Sequence, residues 1–173
     1  AGPLTFVNHV SLPFKVGFSH VYRIFAERDL TDDLVFTGSG RLGLPHYALL
    51  AFALGCDSIN VGREAMLAAG CIQAQRCHTG TCPTGVTSNN WWRMRGLDPE
   101  SKSVRVATYI VELRRELLEL ARACGEEHPA LVGLDHLEIL DDRFGSRSAR
   151  DVFHYDEGWG LPGVADPEEW FSR

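Results

Sequence analysis

Two short apolar runs, each closed by a glycine loop and followed by a helical stretch, constrain this chain more than any other feature. Leu34-Val35-Phe36-Thr37 ends at Gly38-Ser39-Gly40-Arg41, and Ser58-Ile59-Asn60-Val61 ends at Gly62-Arg63. Runs this short, bounded by glycine, read as buried strands. Pro45 opens a helix at a favoured first-turn position, His46 to Leu54 is apolar nearly all round, and Gly55 stops it. Glu64 to Ala69 adds one or two helical turns. The rhythm is βαβα, which implies parallel strands joined by right-handed crossovers and an α/β fold.

The rest of the chain is arranged around this unit. Residues 1–14 read as irregular, with Pro3 and Pro13 as breakers. Phe18, Val21, Tyr22 and Phe25 recur at helical spacing within Val16 to Arg28. Val104 to Cys124 is the longest predicted helix, with Val106, Tyr109, Ile110, Leu113, Leu117, Leu120 and Ala121 in one stripe. Glu112, Arg115, Glu116 and Glu119 read as its solvated face. Beyond Glu126 the charge changes: residues 126–173 hold twelve acidic and four basic side chains. That segment is expected to be an acidic, mostly irregular extension wrapping over the surface. Within it, Asp156-Glu157-Gly158-Trp159-Gly160 reads as a turn anchored by one aromatic. The expected domains are therefore 1–125 and 126–173.

The net charge of −6 leaves no electrostatic footprint for a nucleic-acid partner. No apolar run reaches the roughly 18 to 20 residues of a membrane span. Ala1-Gly2-Pro3 is neither a start nor a targeting signal, so a piece of something longer is expected.

The sharpest chemistry lies between the βαβα unit and the long helix. Cys71, Cys77 and Cys82 are spaced C-x5-C-x4-C and closed by Pro83. Thiols at this density suit soft ligation of an iron–sulfur cluster or zinc. Their odd number and the lack of a secretory leader make a disulfide framework the poorer reading and fit a reducing cytoplasm. Three cysteines match a three-iron cluster, or a four-iron cluster with an outside ligand. A zinc site would add His78 to make Cys3His, and unligated buried thiols are the third possibility. Cys56 and Cys124 read as inert core residues.

The glycine loops are the second candidate site. Backbone N–H groups free of a Cβ at a helix start can cradle a phosphate, and an adjacent Arg adds a bidentate donor. In an α/β barrel the loops after strands seven and eight are the usual phosphate site. Gly38, Ser39, Gly40, Arg41, Gly62 and Arg63 thus suggest the phosphate of flavin mononucleotide (FMN), against the plainer reading of two tight βα turns. His9, His20 and His46 read as satisfied structural histidines rather than acid–base groups. Trp91 and Trp92 could shield a redox centre, pack, or face a partner.

The pieces Thr37-Gly38-Ser39-Gly40-Arg41-Leu42, Ala53-Leu54-Gly55-Cys56-Asp57, Gly62-Arg63-Glu64-Ala65-Met66, Gly70-Cys71-Ile72-Gln73 and Cys77-His78-Thr79-Gly80-Thr81-Cys82-Pro83-Thr84-Gly85-Val86, with Ala1-Gly2-Pro3-Leu4, resemble the flavin-binding synthase domain of glutamate synthases. The likeness runs to about residue 125, and the cysteine signature is its most specific part.

The resemblance implies a (β/α)8 TIM barrel carrying FMN and a 3Fe-4S cluster, of which this chain would hold strands seven and eight. Cys71, Cys77 and Cys82 would be the cluster ligands, and the glycine-loop residues would meet the flavin phosphate. The implied activity is an oxidoreductase that reductively aminates 2-oxoglutarate, through 2-iminoglutarate, to L-glutamate. The implied partner is an electron-donor protein or reductase subunit; the ammonia source is open, with a glutaminase subunit as one option. A barrel needs roughly 250 residues, so the family's catalytic lysine and substrate contacts fall upstream, no catalytic residue is assigned, and the chain alone is expected to be inactive. A related amine-forming enzyme such as methylglutamate synthase would share the same parts.

Overall fold

The computed structural model describes residues 6, 10–143 and 145–163. The Ala1–Leu4 piece and His9 lie outside the described residues. Helix α1 spans Phe14–Ala26 and buries Ser19, Tyr22 and Ala26. Strand β1 is Thr37–Ser39, helix α2 is Pro45–Ala53 and strand β2 is Ser58–Asn60. β1 and β2 pair in parallel, with Gly38 opposite Ile59 and Ser39 opposite Asn60. Across that pair the Thr37 and Ser58 hydroxyls share a 2.9 Å hydrogen bond. This is the βαβ arrangement expected from the sequence, and it brings both glycine loops to the same edge of the pair. Helix α3, Arg63–Ala68, completes the unit.

The strand at β1 is shorter than the apolar run. The ladder starts at Thr37, and Val35 is 80% exposed. Asp57 explains the boundary: its carboxylate accepts from the Phe36 N–H at 2.6 Å, and its own N–H donates to the Phe36 carbonyl at 2.9 Å. This clamp precedes the ladder, and Leu34 and Val35 gain no strand partner among the described residues. They are not the buried strand that their composition predicts.

A short helix and a long one follow the cysteine loop. Helix α4 is Trp91–Met94, and helix α5 is Pro99–Ala123. The long helix starts earlier than its apolar stripe. Asp98 caps it by accepting from the Glu100 N–H, Pro99 takes the first-turn position, and the opening turns are solvent-exposed. Periodicity cannot register a turn that packs on nothing. Further along, Leu113, Leu117 and Ala121 bury against Ala48 and Leu49 of α2, together with Val132. The alanines at 48, 51 and 53 are fully buried and let α2 approach its neighbours closely. Arg115 pairs with Glu112 and Glu119 on the exposed face, as expected.

The acidic segment is more than a covering. It forms a hairpin, β3 (Glu138–Leu140) antiparallel to β4 (Ser146–Ser148), and a short helix α6 (Ala149–Phe153). Val132, Leu134, Ala149, Phe153 and Tyr155 are all buried. The predicted surface wrap therefore contributes core, packing onto Tyr22, Ala26, Ala53 and Leu54. Its apolar residues are scattered among charges at no regular period, which hid them. Trp159 is half-buried against Tyr155, the anchored turn expected there. Among the described residues no helix is long and apolar enough to cross a membrane.

Candidate cofactor site

The three cysteines predicted as ligands line one cavity of about 170 Å³, with Arg63, Ile72, Gln73, Thr84 and Thr87 among its other walls. The loop reaches this shape through two unusual residues. Gln73 and Gln75 both adopt left-handed backbone angles, φ 55° and 56°, a region that non-glycine residues seldom enter. Such strain persists where surroundings over-determine it, and it clusters at functional sites. Gly80 and Gly85 supply two further left-handed turns at lower cost.

Each thiol has its own surroundings. The Gln73 N–H donates to Cys71 Sγ at 3.4 Å, and Cys82 Sγ lies 3.3 Å from the Thr84 hydroxyl. That hydroxyl, followed by the Thr87 backbone N–H, pulls the Cys82 thiol down to about 6. The thiolate is the form that ligates soft metals. The Thr87 hydroxyl oxygen is buried in the same wall without a hydrogen bond of ordinary geometry, though close enough to Cys82 to add to the lowering. All five cysteines are unpaired.

The donor set fits an iron–sulfur cluster. Three thiols surround a cavity, with N–H and O–H donors aimed at sulfur. Among the described residues no three His, Cys, Asp or Glu side chains, the three cysteines included, stand close enough to hold a single metal ion. His78 is exposed.

The glycine loops separate into two kinds. A Cβ at Gly38 would lie 2.7 Å from Cys56 Sγ, and one at Gly40 would lie 2.7 Å from the Phe14 Cβ. These glycines answer to packing. A Cβ at Gly62 would meet nothing within 4 Å. Gly62 is exposed and faces open space at the end of β2. Beside it Arg63 is exposed yet also borders the cysteine cavity. In the first loop Arg41 takes φ 62°, a non-glycine left-handed conformation of the kind found at binding sites. Ligands of open parallel sheets bind beyond the carboxyl ends of the strands, where both loops stand.

The other candidates lie outside the cysteine cavity. Cys56 is buried, and burial beside Asp57 pushes its thiol up to about 12. Cys124 is half-buried against the α2–α5 core. His20 and His46 are exposed, with His46 against Tyr47, and neither enters the cavity. Trp91 and Trp92 are not buried shields; both are 70% exposed. Sequence reasoning counted Thr84 as suited to a cluster loop but missed Thr87, and the place of both beside Cys82 is visible only in the fold.

Comparison with known proteins identifies the family. A family described as "Conserved region in glutamate synthase" matches residues 1–127. The glutamate synthase large subunit-like protein YerD of Bacillus subtilis is 35% identical over 128 residues, covering 74% of this chain and 24% of that protein. An archaeal glutamate synthase (NADPH) from Methanocaldococcus jannaschii is 33% identical, covering 72% of this chain and 24% of its own. A ferredoxin-dependent glutamate synthase of Antithamnion sp. is 32% identical, over 82% of this chain and 9% of its own. The chain thus spans about a quarter or less of the length of these relatives. With the family match covering most of its residues, this chain belongs to the glutamate synthase family.

Proposed function

We propose that this chain is the iron–sulfur and flavin-phosphate portion of a glutamate synthase-like oxidoreductase, one that reductively aminates 2-oxoglutarate through 2-iminoglutarate to L-glutamate. The observation that carries this reading is the gathering of Cys71, Cys77 and Cys82 around one cavity that Arg63 also borders. In this reading β1 and β2 are strands seven and eight of a (β/α)8 barrel, residues 1–125 belong to the barrel, and 126–173 form an extension packed on it.

When bound, FMN supplies hydride chemistry and a 3Fe-4S cluster supplies single electrons. This chain's own residues do the holding. Cys71, Cys77 and Cys82 ligate the cluster, and the Thr84 hydroxyl keeps Cys82 ready as thiolate. Gly38, Ser39, Gly40, Arg41, Gly62 and Arg63 form the two loops at the flavin phosphate, with Gly38 and Gly40 letting the first loop pack against Cys56 and Phe14 and the two arginines supplying charge. The substrate is held by residues elsewhere in the barrel. The electron donor is a ferredoxin-type carrier or an NADPH-dependent subunit, both of which appear in the relatives' names. The nitrogen donor is left open, a glutaminase subunit being one candidate, and the unpaired thiols suit a reducing cytoplasm.

Anaerobic reconstitution with iron and sulfide tests the assignment. Visible absorption and a cluster EPR signal are expected, and Cys71→Ser, Cys77→Ser and Cys82→Ser should each diminish both. An unchanged signal in Cys71→Ser overturns the ligand set. FMN titration of the same material tests the loops, with Arg63→Ala expected to weaken binding about tenfold, as loss of one charge-assisted contact would.

A further inference from the structure

The stretch Cys82-Pro83-Thr84-Gly85-Val86-Thr87-Ser88 folds into two successive reverse turns that share one glycine. In the first, the Gly85 N–H donates to the Cys82 carbonyl at 3.4 Å; in the second, the Ser88 N–H donates to the Gly85 carbonyl at 3.5 Å. Pro83 at the second position of the first turn and Gly85 at its fourth are the residues such a turn favours. Gly85 takes φ 77°, and a Cβ there would collide with the Arg93 carbonyl of α4, so glycine is required at the joint. The Ser88 hydroxyl holds the far end, donating to the Gly80 carbonyl at 2.9 Å and accepting from the Asn90 N–H at 3.1 Å.

Each turn carries a threonine at its third position, and both threonines border the cysteine cavity. Thr84 Oγ1 lies 3.3 Å from Cys82 Sγ. Thr87 brings its N–H and its hydroxyl near enough to the same sulfur to favour the thiolate form. The Thr87 hydroxyl oxygen is shielded from solvent and has no hydrogen-bond partner of ordinary geometry. A buried hydroxyl without an acceptor is costly, and an electron-rich sulfur is the acceptor beside it. These contacts are internal to the cavity wall, so they do not depend on what else packs against the chain.

Cys82 also differs from the other two cavity cysteines. It is 7% exposed, whereas Cys71 and Cys77 are half-buried. Cys71 accepts a backbone N–H, from Gln73 at 3.4 Å. Hydrogen bonds to sulfur are among the determinants of an iron–sulfur potential, and a low local dielectric strengthens each of them.

We infer that Thr84 and Thr87 are redox-positioning residues, whose hydroxyls donate to Cys82 Sγ and raise the reduction potential of the cluster that this thiolate ligates. The inference rests on the iron–sulfur reading of the cavity and names what sets the potential at that same site. The step balances as one electron taken from a single-electron carrier, with no bond made or broken. The added negative charge is shared with the ligand sulfurs, and O–H dipoles already aimed at one of them stabilise it. Both threonines act through Cys82 and touch no substrate.

The test is a mediated redox titration of the full chain reconstituted with iron and sulfide, followed by the cluster EPR signal. Thr84→Val and Thr87→Val each remove a hydroxyl with little change of shape. Both should shift the midpoint to lower potential, and the double variant should shift it furthest. Thr84→Ser and Thr87→Ser keep the hydroxyl, and their midpoints should stay with that of the unaltered chain. Circular dichroism and iron content are measured for every variant, and Thr84→Ala or Thr87→Ala stands in for a valine variant that does not fold. A midpoint unmoved or raised in Thr84→Val/Thr87→Val overturns the inference. So do serine variants that shift as far as the valine ones, because shape rather than the hydroxyl is then responsible. Loss of the cluster from both the valine and the alanine variant at either position assigns that threonine to assembly and also overturns it. An unaltered chain that shows no cluster EPR signal sinks the iron–sulfur reading itself, whereas a signal with unmoved midpoints sinks this inference alone.

Discussion

The ring of Tyr155 lies nearly parallel to that of Tyr22, with centroids 5.4 Å apart and planes 9° from each other. Two hydroxyls extend the stack into the backbone. Tyr155 donates to the Leu54 carbonyl, and Tyr22 accepts from the Gly160 N–H, each at 3.0 Å. The first bond satisfies the end of α2, and the second anchors the tail turn. Burial raises both phenols above their ordinary range.

Tyr155→Phe keeps the stack and strands the Leu54 carbonyl in a buried site. The cost should be about 1–2 kcal/mol, the range for an unsatisfied buried acceptor. Tyr155→Ala also opens a cavity and should cost about 3–5 kcal/mol. Urea denaturation midpoints of the two variants check the order.

Gly38 and Gly62 should respond oppositely to alanine. Gly38→Ala places a methyl 2.7 Å from Cys56 Sγ and 3.1 Å from Leu42 and Phe14 side-chain atoms. Overpacking of this kind costs about 1–3 kcal/mol, and Cys56→Ala in the same chain should restore part of it. Gly62→Ala meets open space, so thermal stability should hold while FMN affinity falls. A stability loss at Gly62 without an affinity change would argue that the loop is only a turn.

The parallel pair, its glycine loops and the cysteine signature were legible because each depends on local sequence. Short apolar runs and glycines mark strand ends, and clustered thiols have few uses. The tail was not legible. Tyr155 reaches Leu54 across 101 positions, and no local pattern announces a contact of that separation. The opening turns of α5 were missed for the converse reason, since they face solvent and carry no stripe. In the site, residue types identified Cys71, Cys77, Cys82 and the suitability of Thr84, whereas Thr87 and the contact of both threonines with Cys82 emerged only from the loop's path. Glycine identity alone could not distinguish Gly38, tight against Cys56, from Gly62, which faces open space.

His128 gives the chain a pH dependence. Its Nδ1 accepts from the Ala130 N–H at 3.2 Å, which requires neutral imidazole. Burial, with Arg114 nearby, lowers its pKa from the ordinary 6.5. The unfolded chain therefore binds more protons than the folded one below that value, and stability rises with pH. It should be fully present above pH 6.5 and decline on acidification through the folded pKa. His128→Asn keeps an acceptor without titrating, and its stability should lose this component of the slope between pH 5 and 7.

The two ligand sets also diverge at His78. If thiols alone hold the cluster, His78→Ala should leave absorption and iron content unchanged while Cys77→Ser reduces both. Equal losses in the two variants, with one zinc per chain and no sulfide, would restore the Cys3His site.

The Tyr155–Leu54 bond also orders events during synthesis. Helix α2 leaves the ribosome with its last carbonyls unsealed, and their partner is 101 residues behind. At about 5–20 residues per second, the nascent βαβ unit waits on the order of 5–20 s for Tyr155, and longer for Gly160 to reach Tyr22. During that interval Tyr22, Phe36 and Leu54 lack the cover that Tyr155 later gives them.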